Sequence, residues 1–217
     1  MGTQATACFY DVLHNMQNVT SEQEYLDVLL YSMPSIPDRT AFITGRSIES
    51  PLTPLLRAAK ALETVGASLL TMLCVTSHYF YDDLAKAVDI PLLSIPAETA
   101  KLAHERGIGK IGILATDGTL KGKVLHKAFE KYGIEALVPP EDAQTALMTM
   151  IYNIKRGVAV APEELHAIVC ELRAKGADAV VLGCTELCII AEGSFDVINT
   201  LEVLAAASLR AVREQQA

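Results

Sequence analysis

Two cysteines occupy matching points of an internal echo, 110 positions apart. Gly66-Ala67 leads into an apolar run that ends at Cys74, and Gly176-Ala177 into one that ends at Cys184, so each thiol stands eight residues after its glycine. Thr76 and Thr185 follow closely. In each copy the Gly-Ala closes a helical pattern and the run after it reads as a strand, which puts the thiol where strand gives way to helix. If the two halves face each other, a small molecule between them has one thiol on each side. That arrangement suits taking a proton from one face of a carbon and returning one to the other. A thiol's reference pKa of ~8.5 falls near cations and helix N-termini, so one group can act as base while its twin acts as acid.

The neighbours of the two thiols suit the same chemistry. Backbone N–H groups at a helix start could hold a carboxylate, helped by the hydroxyls of Thr76, Ser77 and Thr185. His78 and Glu186 lie close enough to orient or tune the thiols. His78 reads equally as an ordinary helix-start residue, and Glu186 as a complement to a helix dipole. Arg39, in Pro37-Asp38-Arg39-Thr40, carries the planar fork that matches a carboxylate, with Asp38 as its expected brace; taken alone it reads equally as a loop ion pair. Lys155 ends a helical pattern, where it either complements the dipole or swings over a cleft as a second carboxylate ligand. Cys8, Cys170 and Cys188 read as packing residues. Cys184 and Cys188 are four apart, but no second Cys/His pair stands at zinc spacing, so no metal site is expected.

The elements that must hold these residues follow from hydrophobic periodicity. Strands are expected near 26–32, 68–73, 110–115, 134–138 and 178–183, with a weaker one near 91–94. Helices are expected near 4–17, 51–65, 77–87, 97–106, 119–132, 141–155, 162–175 and 200–214. This alternation is that of an α/β fold with parallel strands, and the echo favours two domains. Ligands of open α/β sheets bind beyond the carboxyl ends of the strands. Cys74, Thr116 and Cys184 all fall there, and Asp38-Arg39 reaches the same rim after the 26–32 strand.

With 217 residues, 51% of them apolar, the chain can bury a core. A net charge of −8 disfavours nucleic acid and anionic membrane as partners. No apolar run approaches the ~20 residues of a membrane span and no signal-peptide pattern opens the chain, so a cytoplasmic protein with reduced thiols is expected.

Four segments then stand out together: Ile36-Pro37-Asp38-Arg39-Thr40, Cys74-Val75-Thr76-Ser77-His78, Leu114-Ala115-Thr116-Asp117-Gly118-Thr119 and Gly183-Cys184-Thr185-Glu186-Leu187. In this order, over nearly the whole chain, they resemble the cofactor-independent aspartate/glutamate racemases. The Pro-Asp-Arg-Thr element resembles the aspartate racemase branch. The resemblance implies two pseudo-symmetric α/β domains, each a mainly parallel sheet flanked by helices, with the active site between them. Residues 1–95 with 196–217 would form one domain and residues 96–195 the other. It further implies a homodimer that uses neither pyridoxal phosphate nor metal, with Cys74 and Cys184 as paired acid and base. Thr76, Thr116 and Thr185 would hold the α-carboxylate, and Arg39 and Lys155 the side-chain carboxylate, of a small dicarboxylic amino acid.

This chain departs from the family pattern in three places. Val75 stands where the family has an asparagine that contacts substrate. Asn199-Thr200 and Leu204 replace an Asp-Thr and a later histidine. The family's opening strand and glycine-rich turn are also absent ahead of Met1-Gly2-Thr3, from which about ten further upstream residues, forming a central strand, are expected. Besides amino-acid racemisation, the same fold would admit maleate isomerisation, hydantoin racemisation or a non-catalytic amino-acid-binding protein. The paired thiols disfavour a single-cysteine arylmalonate decarboxylase, and the absence of a Cys-x-x-Cys disfavours a thiol redox role.

Overall fold

Short polar signals set where the elements begin. Asp38 accepts the amide of Ala41 at 2.8 Å and Thr116 that of Thr119 at 3.2 Å, so each side chain caps a short helix directly after a loop. Ser94 does the same for Ala97, with Pro96 in the first turn. Gly66 and Gly176, the two glycines of the echo, take φ of 97° and 92° and close their helices in the left-handed region.

The computed structural model describes residues 2–191 and 196–216. The chain runs α1 (Thr3–Asn15), α2 (Arg39–Thr44), α3 (Leu52–Thr64), β1 (Leu70–Thr71), a 3-10 segment (Val75–Phe80), α4 (Tyr81–Ala87), β2 (Leu92–Leu93) and α5 (Ile95–Glu105). It continues through β3 (Lys110–Leu114), α6 (Asp117–Lys121), α7 (His126–Glu130), β4 (Glu135–Leu137), α8 (Glu141–Lys155) and α9 (Pro162–Ala174). The last elements are β5 (Ala179–Leu182), α10 (Thr185–Ile190), β6 (Ile198–Asn199) and α11 (Thr200–Gln216).

Two parallel sheets form, as the alternating pattern predicts. The larger has the order β4-β3-β5-β6 and the smaller pairs β1 with β2. Ile111, Ile113, Leu114, Val180, Val181 and Leu182 are fully buried, which is why β3 and β5 read as continuous apolar runs rather than alternating ones. A main hydrophobic core gathers around this sheet, and a smaller one joins Met33, Ile36, Leu55, Met72, Phe80 and Leu84. β6 joins the larger sheet, whereas α11 after it packs on α1, α5 and β2 beside the smaller one.

Two expectations need correction. Residues 26–33 carry no helix or strand. Between this segment and β1 lies a cavity of about 450 Å³, lined also by Phe9, Leu13 and Val212. A strand exists only where a neighbour lies ~4.8 Å away, and across this cavity residues 26–31 meet no neighbouring strand among the described residues, however apolar they are. The helix expected over 119–132 is broken into α6 and α7 at Lys123, which takes φ of 51°. The ring of Tyr79 crosses there, so close that a Cβ on Gly122 would meet it at 2.8 Å. Sequence periodicity also misses the one-and-a-half turns of α2 and the two-residue β6, both too short to show a period.

Candidate active site

The carboxyl ends of β1, β3 and β5 deliver Cys74, Thr116 and Cys184 to one cavity, and α2 brings Asp38 and Arg39 to its wall. Lys155 arrives from the last residue of α8, and Thr40, Thr76, Thr185 and Glu186 complete the polar lining. The enclosed space is about 10 Å³, room for about one water. It adjoins a vestibule of about 260 Å³ lined by Gly2, Gln4, Ile36, Arg39, Lys155 and Glu186. Anything much larger than a water therefore fits the inner space only when its walls move apart.

The two thiols stand in opposite electrostatic settings. Burial alone would raise the Cys74 pKa, but the charge of Arg39, a hydrogen bond from Ser77 and the charge of Lys155 outweigh it, so the pKa is lowered. Cys184, 5% exposed, is pushed well above the usual thiol value by burial and then by the Glu186 carboxylate. Its Sγ donates to Glu186 Oε2 at 3.1 Å. The segments that follow the thiols are only six residues long, a 3-10 turn after Cys74 and α10 after Cys184. Of the two influences expected from the sequence, nearby charges and helix N-termini, the charges of Arg39, Lys155 and Glu186 set the two thiols apart.

Arg39 is buried at the start of α2. Its Nη1 donates to the carbonyls of Ile36 and Pro37, each at 3.1 Å, which fixes the guanidinium against the Cys74 sulfur. Its Nε is buried with no hydrogen-bond partner. Asp38 does not brace it by hydrogen bonding. One Asp38 oxygen caps Ala41, and the other accepts from the Tyr152 hydroxyl at 3.2 Å. Lys155 lies 5.1 Å from the centre of the Tyr152 ring, and the acidic surroundings (Cys184, Glu186 and Cys74) more than offset its burial and raise its pKa.

Thr76, Thr116 and Thr119 join their hydroxyls in a triangle with sides of 2.9, 2.9 and 3.1 Å, linking the 3-10 segment to α6. Ser77 and His78 stand off the cavity wall. Ser77 reaches the Cys74 sulfur, whereas His78 is a tether. His78 Nδ1 lies 2.9 Å from the Cys74 carbonyl, and Nε2 accepts the Ile95 amide at 3.1 Å. The carbonyl requires the proton on Nδ1, so the ring is neutral. Burial is the largest reason that its pKa drops to about 4.

A family model described as Asp/Glu/Hydantoin racemase matches residues 1–208. The chain belongs to that family. Among solved structures, the Picrophilus torridus aspartate racemase is similar at a TM-score of 0.86 and 26% identity, over 97% of this chain and 90% of that one. An aspartate racemase homologue from Pyrococcus horikoshii OT3 has a TM-score of 0.77 and 25% identity, over 97% and 94% of the two chains. In sequence, the chain is 25% identical to the broad specificity amino-acid racemase RacX of Bacillus subtilis (strain 168), over 86% of this chain and 82% of that protein.

Within this Asp/Glu/Hydantoin racemase fold, two departures noted in the sequence separate by location. Val75 lines the inner cavity at 1% exposure. Thr200 and Leu204 are fully buried away from it: Thr200 donates to the Leu182 carbonyl at 2.7 Å, and Asn199 caps the Leu201 amide. Sequence reasoning missed Thr119, Tyr152 and Gly2 at the site. Thr116-x-x-Thr119 has the spacing of an N-cap and its third helical residue, a signal that could have found Thr119. Nothing local to Tyr152 or Gly2 announces their position. Among the described residues no group of His, Cys, Asp and Glu side chains is arranged to hold a metal ion, and no helix is long and apolar enough to cross a membrane.

Proposed function

We propose that the protein racemises a small dicarboxylic amino acid, aspartate or glutamate, by two-base proton transfer between Cys74 and Cys184, without pyridoxal phosphate. The observation that carries this reading is the opposite setting of two thiols on one cavity. Cys74 is held toward thiolate beside Arg39, and Cys184 toward thiol beside Glu186. One is thus prepared as base and the other as acid before any substrate arrives.

The unpartnered Nε of Arg39 supports an anionic ligand, since a buried donor without an acceptor is costly unless something fills it. Arg39 and Lys155 would hold the side-chain carboxylate. The Thr76, Thr116 and Thr185 hydroxyls would turn from their present partners to the α-carboxylate, where charge develops as the α-proton leaves. Residues 1–95 with α11 on one side and the larger sheet on the other would part to admit substrate, with β6 kept on the larger sheet by its pairing with β5 rather than on the first side as the expected boundary at 196 would have it. Their closure would exclude water from the carbanion. The relative named as a broad specificity racemase, together with apolar Val75 on the wall, favours a second reading in which other amino acids are also accepted.

The test is α-proton exchange in heavy water with both enantiomers of aspartate, glutamate and a panel of neutral amino acids. Aspartate or glutamate should exchange and racemise, and Cys74→Ser and Cys184→Ser should each abolish racemisation. Exchange with none of the panel would overturn the reading, and full racemisation by Cys184→Ser would overturn the two-base mechanism.

A further inference from the structure

A two-base racemisation leaves the protein in the opposite protonation state from the one it started in. When the Cys74 thiolate takes a proton and the Cys184 thiol gives one, the product form holds Cys74–SH and a Cys184 thiolate. A second turn in the same direction needs Cys184 to regain a proton. That thiol is 5% exposed, and its Sγ points at Glu186 Oε2, 3.1 Å away. The other carboxylate oxygen, Oε1, lies against Gly2, so close that a Cβ there would collide with it. Gly2 and Glu186 line both the inner cavity and the vestibule. Glu186, 6% exposed, therefore has one oxygen on the sulfur and the other beside Gly2, a residue that borders both spaces.

We propose that Glu186 is the proton relay that resets Cys184, carrying protons between its sulfur and vestibule water. The step balances simply. Hydronium or a buffer acid in the vestibule protonates the carboxylate and leaves as water or the buffer base, a turn about Cγ–Cδ exchanges the two oxygens, and the O–H gives its proton to the Cys184 thiolate, which restores the carboxylate. The reverse sequence empties the thiol. The charged groups facing the pair are Lys155, Arg39 and Cys74 across the cavity, with the Thr185 hydroxyl 3.4 Å from Oε2 on its own helix. This inference rests on the two-base reading for its purpose, although the coupling it requires can be measured without substrate.

Glu186→Gln keeps the shape of the side chain but cannot carry a proton. Three readouts follow. In pre-steady-state racemisation the later turnovers of the variant should be slower than its own first turnover by about 10²-fold, the usual scale of a lost acid–base group, whereas those of the wild type should match its first. The slow phase should accelerate with the concentration of a small carboxylic acid buffer, while the wild type stays flat. Without substrate, Cys184 should alkylate with iodoacetamide at a lower pH than in the wild type, read peptide by peptide in a mass spectrometer. Glu186→Asp, which keeps a carboxylate, should show the buffer-independent behaviour of the wild type at reduced rate. Should Glu186→Gln fail to fold, wild-type and Glu186→Asp alkylation profiles still decide the coupling. Equal slowing of first and later turnovers without buffer rescue would overturn the relay while leaving racemisation intact. An unchanged Cys184 alkylation profile would overturn it whether or not the protein is a racemase.

Discussion

A methyl group placed on Gly118 would stand 2.8 Å from the Cα of Thr40. Gly118 thus marks the point where α2 and α6 cross in contact, and it also fixes the spacing between Arg39 on one side and the threonine triangle on the other. Overpacked contacts of this kind cost about 1–3 kcal/mol. Gly118→Ala should lower stability by that amount in urea denaturation, and it should weaken substrate binding because Thr76 also lies within 3.1 Å of the added carbon. A variant as stable and active as the wild type would show that the crossing has slack.

The Cys74 thiol, with its pKa lowered, should react with iodoacetamide at lower pH than a free cysteine peptide, and before Cys184. Arg39→Gln removes the largest of the contributions that together outweigh burial, so the Cys74 profile should move to higher pH. Labelling followed by peptide mapping checks this, with exposed Cys170 as the internal control. Equal labelling of Cys74 in both proteins would mean that Arg39 does not set its charge.

Much of this site was legible because its parts sit at strand ends. The echo of Gly66 to Cys74 and Gly176 to Cys184 is a local pattern, and parallel topology carries it to one rim. What stayed hidden depends on long-range geometry. Tyr152 reaches Asp38 across 114 positions, and Asp38 spends its oxygens on that hydroxyl and on a helix cap rather than on Arg39. The 26–32 segment was misread because periodicity reports which face is apolar, whereas a strand requires a neighbour. His78 was rightly placed beside Cys74 in sequence, yet its ring turns away from the cavity to Ile95.

His78 gives the fold an acid-sensitive point. Its pKa is about 4 in the folded protein and 6.5 as a reference, so the unfolded chain binds the extra proton between those values. Stability is therefore full above pH 6.5 and falls as the pH drops toward 4, by about 3 kcal/mol over the window. Denaturation curves from pH 7 to 4 should show this slope in the wild type and a shallower one in His78→Asn. Parallel slopes would assign the effect to other groups.

Val75→Asn places an amide where a residue is 1% exposed and packed into the main core. Without ligand it should cost about 1–3 kcal/mol, the penalty for a buried polar group lacking a partner. Aspartate should recover part of that loss in a thermal melt, and aspartate exchange should speed up. A slower or unchanged rate would mean that the pocket is shaped for another side chain.

The cavity between residues 26–31 and β1 leaves one edge of a two-stranded sheet without a partner among the described residues. Leu29, Leu30 and Tyr31, each about half exposed, stand opposite it. Proteins guard such edges with lysine, proline or a covering helix, because open backbone groups recruit strands from other chains. Here the lining is mostly apolar, with Asp27 as its one charge. The solubility of this chain at high concentration will therefore depend less on its overall charge of −8 than on whether that slot finds a strand to fill it.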